Sequence, residues 1–327
     1  MNNNKSALTI SILLLVNALL LGGCAWTDLD KSVGAGKNLV DDNLVNSQLS
    51  PTDAKSYIEG LSAENITDNV IGVILPHHLL VASFMDKFYQ QLTAKLKEEK
   101  REISRVILIS PNHFGYGYNF IQSTDEANAK DFAVKLDMAD ISALKRAGVL
   151  AIEPKYFPRE HGVTTHFSFL DKYFPKAKVI PVILKRDTPQ EKLDALVREL
   201  VTLDGQTLVI ASIDFSHYSA EESSLQNDGR MVAWLSALGN CDGKAAVNCR
   251  SKNFSDVEAL HVSKDISVQD AVGVDSPEAI YVMNNLMRGL GAKNFQLWRR
   301  TSSASLLGGS RPEDNTSHLF GSYGRNQ

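Results

Sequence analysis

The sequence predicts an α/β fold, a single domain with a mainly parallel central sheet covered by helices on both faces. Three observations lead there. From Val70 onward, short unbroken apolar runs of strand length alternate with longer stretches whose apolar residues recur at helical spacing. The runs lack the in-and-out alternation of a strand with one wet face, as expected for strands buried on both sides. The composition, 43% hydrophobic and 22% charged over 327 residues, is that of an ordinary globular chain and excludes disorder or a disulfide-dense miniprotein.

Val70–Leu75 (VIGVIL) is the first strand, and Leu79 to about Lys97, with Leu80, Phe84, Phe88 and Leu92 at helical spacing, the first helix after it. Arg105–Ser110 (RVILIS) is the second strand, followed by a Gly- and Tyr-rich loop or hairpin over Phe114–Tyr118. Asp137–Ala147 and His161–Phe174 read as helices. Val179–Leu184 (VIPVIL) is the third strand; its Pro181 suits an edge or a bulge, because proline has no N–H for a ladder. Thr188–Leu203 is an amphipathic helix, with Thr188 placed to cap it and Pro189 in its first turn. Thr207–Ile213 (TLVIASI) is the fourth strand, and Ala220–Leu238 the next helix. Ser276-Pro277-Glu278 opens a helix that runs to about Leu290, closed by Gly289 and Gly291. Two β-leaning runs, Phe295–Thr301 and His318–Tyr323, flank the turn-rich Gly308–Pro312.

Ahead of this body, one cation, Lys5, precedes an apolar run from Ala7 to Leu21 and the sequence Leu21-Gly22-Gly23-Cys24. Charge, apolar stretch and small residues in that order make a secretory signal. Its ending resembles a bacterial lipobox, in which Cys24 is lipidated and becomes the mature N-terminus. Asn17 within the run and the polar stretch after Trp26 count against an uncleaved membrane span. The expected division is a signal peptide over 1–23, a polar tether over 24–65 with one short helix near Ala54–Leu61, and the α/β domain over 66–327. The expected location is the cell envelope, with the membrane as partner through the lipid anchor. Cys241 and Cys249 remain as a pair around a short polar segment, and an oxidising compartment permits a disulfide between them, two free thiols being the alternative. A net charge of −4 with dispersed Lys and Arg offers no basic field, so nucleic acid is not an expected partner.

In open α/β sheets, ligands bind beyond the carboxyl ends of the strands. Just past the first, second and fourth strands stand Pro76-His77-His78, Pro111-Asn112-His113 and Asp214-Phe215-Ser216-His217-Tyr218. Three of the four strands thus deliver a histidine to one sheet edge, out of 8 histidines in the chain. Two neutral imidazoles and one carboxylate hold a divalent cation with positions left open. Such an ion can act as a Lewis acid, generate hydroxide or bind dioxygen. Asp214, Asp275 and Glu278 are the carboxylate candidates, and Asp275 is equally well placed to serve the helix start that follows it. His217 and Asp214 form a candidate proton-transfer pair, since imidazole titrates near ~6.5 and a carboxylate can orient it. Glu160-His161-(four residues)-His166 adds two histidines. Five positions apart on a helix they diverge by ~140°, so His166 is expected to meet the sheet edge from a turn, and Glu160, His161 and His166 are all contact candidates. His78 is expected to point away, and His261 and His318 to be ordinary structural or exposed histidines.

Taken together, Pro76-His77, Ser110-Pro111-Asn112-His113, Glu160-His161-(four residues)-His166 and Ser212-Ile213-Asp214-Phe215-Ser216-His217-Tyr218 resemble the Memo-like family, also called AmmeMemoRadiSam system protein B, in order and spacing from Val70 to about Gly291. That family is similar in fold to the class III extradiol dioxygenases, with a non-haem iron site at the same sheet edge. The resemblance implies that His77 and His113 are metal ligands and that Asp214 and His217 line the pocket; redox, copper-binding and iron-binding roles have been proposed for members. One departure matters. The family usually carries a Cys-Gly pair a few residues before the proline that opens the last core helix. Here the stretch is Val272-Gly273-Val274-Asp275-Ser276-Pro277, with Gly273 where the thiolate would stand. If Asp275 replaces it, the metal site is His77, His113 and Asp275; if nothing does, metal affinity is poor. The expectation is a lipid-anchored, Memo-like metal-binding protein, with Fe(II) favoured over Zn or Cu. If catalytic, it is a non-haem iron oxygenase or redox enzyme acting on a small molecule, with His217, Asp214 and His166 as catalytic residues. The alternatives are a non-catalytic metal- or ligand-binding lipoprotein and a metal-dependent hydrolase.

Overall fold

The computed structural model describes residues 49–203, 205–236, 273–309 and 311–325; Cys24, Cys241, Cys249 and His261 lie outside them. The chain order is α1 (Pro51–Leu61), β1 (Val70–Leu75), α2 (Ala82–Glu98), β2 (Arg105–Pro111), β3 (Ile121–Ser123), α3 (Glu126–Ala129), β4 (Lys135–Leu136), α4 (Met138–Arg146) and β5 (Ala151–Ile152), then α5 (His161–Tyr173), β6 (Lys178–Leu184), α6 (Gln190–Val201), β7 (Thr207–Ser212), α7 (Glu221–Ser236), α8 (Pro277–Gly289), β8 (Asn294–Ser302), α9 (Ser303–Leu307) and β9 (Ser317–Gly324). One sheet contains all the strands in the order β5-β3-β6-β2-β7-β1-β9-β8, with β4 paired to β6 off that path. Its centre, β6-β2-β7-β1, is parallel, while β9 on β1 and β8 on β9 run antiparallel. The fold is therefore α/β with a mixed sheet flanked by helices.

The parallel centre explains the unbroken apolar runs. Every residue of β1 and β7 is buried, and β2 and β6 are buried beyond their first residues. Helices cover both faces because parallel strands need crossovers long enough to hold a helix. α2 contributes Met85, Phe88, Tyr89 and Leu92, and α8 contributes Ile280, Met283 and Met287, all fully buried. Each such side chain contributes about 1.5–3 kcal/mol.

Three local expectations change. Pro181 sits inside the sheet, opposite Leu108 of β2, and not on an edge strand. On the other side of β6, however, β4 pairs only with Lys178 and Val179, and β3 only with Ile183 and Leu184. The missing N–H of Pro181 falls in the gap between those two short strands, so the ladder loses nothing. Thr188 does not cap α6: its Oγ1 donates to the Lys185 carbonyl at 2.6 Å, and Pro189 occupies the cap position. Residues 49–65, read as tether, pack on the domain. Ala54 and Ile58 of α1 are buried, the Ala63 N–H donates to Leu297 O (2.9 Å), and Trp298 Nε1 donates to Glu64 O (3.1 Å). Among the described residues no helix is long and apolar enough to cross a membrane.

Candidate metal centre

β7 lies between β1 and β2. His77 and His113 therefore leave strands that flank β7, not neighbouring strands, and the rings converge across its end. Ser212, the last residue of β7, occupies the space between. The fourth contributor is the first turn of α5. Glu160 caps that helix, its side chain accepting the Gly162 N–H at 3.2 Å, and so fixes where the helix begins and aims His161 at the sheet edge. Gly162 permits the approach, because a Cβ there would collide with Ser110 Oγ and lie 3.2 Å from His113 Cε1.

Two hydrogen-bond chains decide the imidazole tautomers. Ser212 Oγ donates to the Gly162 carbonyl at 2.5 Å, so it can only accept from His77 Nδ1, 3.0 Å away. His113 Nδ1 is 2.5 Å from Glu160 Oε1, while Glu160 Oε2 accepts the His113 backbone N–H at 3.0 Å. Both rings thus carry a proton on Nδ1 and direct Nε2 inward, the outer-shell arrangement that orients metal-binding histidines. Asp275 Oδ2 lies 3.2 Å from His77 Nε2 and 3.6 Å from His113 Nε2. With metal–nitrogen and metal–oxygen bonds of about 2.0–2.2 Å, ligands of one ion stand roughly 3–3.5 Å apart, so these separations suit one shared ion. His161 completes the group: a nitrogen from each of His77, His113 and His161 lies within 4.8 Å of the others.

Asp275 reaches this point because its loop is stitched to the end of β7. The Asp275 N–H donates to Asp214 O, and the Asp214 N–H to Asp275 Oδ2, both at 3.2 Å. Ser276, not Asp275, caps α8, its Oγ accepting the Ala279 N–H at 3.1 Å. The helix-start alternative for Asp275 therefore falls away, and its buried Oδ1 has no hydrogen-bond partner. Burial opposes the charge on His77, but Asp214 and Asp275 prevail and raise its pKa. At His113 burial is likewise overcome, by Asp275 and Glu160, and the ring is pushed up to about 10. Asp275 is buried too, yet hydrogen bonds from His113 and His77 hold its carboxyl well below the usual carboxylate range. Desolvation, then the charges of His113 and His77, lower His161 to about 4, leaving it neutral and able to ligate. Three imidazoles, two of them against Asp275 Oδ2 and with the Asp275 Oδ1 unpartnered, are a donor set that fits a divalent transition metal.

The family model described as Memo-like protein matches residues 42–308. The chain belongs to the Memo-like family. A MEMO1 family protein of Methanopyrus kandleri is 28% identical over 152 residues, covering 45% of this chain and 54% of the relative. One from Caldivirga maquilingensis is 25% identical over 181 residues, covering 52% of this chain and 62% of the relative. One from Methanococcus maripaludis is 21% identical over 247 residues, covering 72% and 78%. The match therefore spans less than two thirds of the first two relatives' length.

In this Memo-like chain the other expected residues take different places. His166 does not reach the sheet edge: it is fully buried, with Nδ1 2.8 Å from the Tyr89 hydroxyl, because helical spacing sends it into the core once His161 faces the site. Asp214 and His217 do not pair. Asp214 Oδ1 accepts the His77 N–H at 3.2 Å, and its Oδ2 lies 3.5 Å from His77 Nε2. His217 Nδ1 instead donates to the Phe215 carbonyl in its own turn, at 2.5 Å. His318 is not solitary: its Nε2 is 3.1 Å from His78 Nδ1 and the rings stack, since the pairing of β9 with β1 brings them together. Glu278 lines the same cleft as His113 and Asp275 but is turned to the backbone, its Oε1 accepting the Asp187 N–H at 2.7 Å. A cleft of about 450 Å³, lined by His113, His217, Asp275, Phe114, Tyr218 and Arg186 among others, opens over the centre.

Proposed function

We propose that this Memo-like protein binds one divalent transition metal through His77, His113, Asp275 and His161, and uses it as a non-haem Fe(II) oxygenase or redox enzyme on a small molecule. The observation that supports the reading is the pair of Nδ1-anchored imidazoles whose Nε2 atoms share the Asp275 carboxylate. When bound, the metal would supply Lewis acidity and open positions for substrate. Glu160 and Ser212 hold the ligand rings in their metal-binding tautomers. His217, with its Nδ1 proton given to Phe215 O, keeps Nε2 as a proton acceptor at the cleft. Asp214 acts by holding the His77 backbone, not by orienting His217.

Export and lipidation at Cys24 belong to the same proposal, as does a Cys241–Cys249 disulfide. Lys5, the apolar run and Leu21-Gly22-Gly23-Cys24 support them. Metal analysis after anaerobic purification tests the function. Stoichiometric iron with oxygen consumption is the expected result, lost in His77→Ala and His113→Ala. Tightly held zinc without oxygen uptake would favour hydrolysis, and a protein that takes up no metal would end the proposal. Mass spectrometry of the membrane fraction tests the anchor: a mature chain that does not begin at an acylated Cys24 would refute it.

A further inference from the structure

The cleft over the imidazoles has two features that metal binding does not use. Phe114 and Tyr218, on its walls, are 47% and 57% exposed. The Phe114 ring is braced from behind, and the Tyr218 backbone is fixed. Phe114 stacks on Tyr116 and Tyr116 on Tyr156, with centroids 5.5 Å and 4.2 Å apart. Tyr218 sits at φ +52°, a left-handed backbone that non-glycine residues seldom adopt, pinned by its N–H donating to Asn315 O at 2.8 Å. Exposed aromatic rings beside a polar floor, one of them braced and the other on a fixed backbone, are a surface for another flat apolar group.

Arg186 is the second feature. It lines the same cleft and makes no hydrogen bond or ion pair with any described residue. Its neighbour Lys185 is spent on the Gly117 carbonyl at 2.7 Å. Glu278, an acid of the cleft, accepts the Asp187 N–H at Oε1 and the Ser276 hydroxyl at Oε2 (3.4 Å), and Arg186 acts on it only through its charge, without an ion-pair contact. A guanidinium that makes no hydrogen bond among the described residues is matched to a planar carboxylate, which it binds through two parallel hydrogen bonds.

Resting on the metal-centre reading above, we propose that the cleft takes a small aromatic carboxylate, its ring between Phe114 and Tyr218, its carboxylate on Arg186, and its far end toward the imidazoles. Calorimetric titration of the full chain with 4-hydroxybenzoate and its uncharged analogue 4-hydroxybenzamide tests this, with metal content measured on the same samples. The wild type is expected to bind the acid at least tenfold tighter than the amide. Arg186→Gln should erase that preference while keeping metal content and melting temperature, and Tyr218→Ala should weaken both probes. The proposal is overturned if wild-type protein binds the two equally, if it binds neither, or if Arg186→Gln keeps the preference, since the carboxylate would then sit on the metal or elsewhere. A wild-type chain without metal counts against the metal centre, whereas a metal-loaded chain indifferent to Arg186 counts against this inference alone.

Discussion

Glu160→Gln changes two atoms' chemistry and almost no volume, and the structure dictates its effect. All three groups around the carboxylate are donors: His113 Nδ1–H at 2.5 Å, the His113 N–H at 3.0 Å and the Gly162 N–H at 3.2 Å. A carboxylate accepts all three, whereas an amide has one accepting oxygen, so at least one donor must face an NH2 group. Glu160 is 3% exposed, and water cannot make good the loss. If the oxygen stays on Nδ1, the His113 backbone N–H is unsatisfied, at about 1–3 kcal/mol. If the amide flips, its NH2 donates to Nδ1 and drives the imidazole proton onto Nε2, the nitrogen the metal needs. Either way metal affinity should fall about 10–100-fold, or roughly 1.4–2.7 kcal/mol. Competition against a chromogenic chelator, with a thermal melt on the same protein, measures both effects. Affinity within about threefold of wild type, a difference under ~1 kcal/mol, would refute the role given to Glu160.

Asp275→Asn should weaken metal binding at least ~10-fold, about 1.4 kcal/mol, in a chain that still folds because Ser276 caps α8, with a lower melt because the charge that holds His113 and His77 up is gone; full affinity by competitive titration would remove Asp275 from the ligands. His166→Ala should lower stability by about 2–4 kcal/mol, through a cavity and an unpaired Tyr89 hydroxyl, yet keep metal affinity; loss of metal in a folded variant would return His166 to the site. Gly162→Ala should cost about 1–3 kcal/mol by pushing the first turn of α5 off Ser110 and His113, with metal affinity falling alongside; a wild-type melt and affinity would contradict that packing. Because Asp275 and Glu160 outweigh burial and hold His113 up at about 10, metal must displace a proton, and apparent affinity should rise about tenfold per unit as pH climbs toward that value. The same raised pKa stabilises the metal-free fold below the unfolded value of ~6.5, a contribution lost as pH rises through about 10. A pH-independent affinity, or loading without proton release, would count against it.

The parallel centre was legible because β1, β2, β6 and β7 are buried on both faces and therefore spell continuous apolar runs. Histidines placed just after β1 and β2 marked the centre for the same reason. The choice between His161 and His166 turned on where α5 begins. Glu160 settles that by capping, and an acidic residue at a helix start was the available signal. The antiparallel extension was harder to read. β9 is buried throughout, with Gly321 admitting the Phe295 ring and no alternation to betray its pairing. The contact between His78 and His318 depends on that register across 240 positions, which no local pattern carries. The buried pairing of Arg300 on β8 with Asp228 on α7, Nε to Oδ2 at 2.9 Å, is equally nonlocal.

Anomalous X-ray diffraction at the metal's absorption edge, from crystals of the metal-loaded full chain, tests the four-residue centre most directly. The account predicts one peak at bonding distance from His77 Nε2, His113 Nε2 and Asp275 Oδ2, with the His161 imidazole turned to it. A protein carrying stoichiometric metal whose peak lies away from those atoms would contradict it.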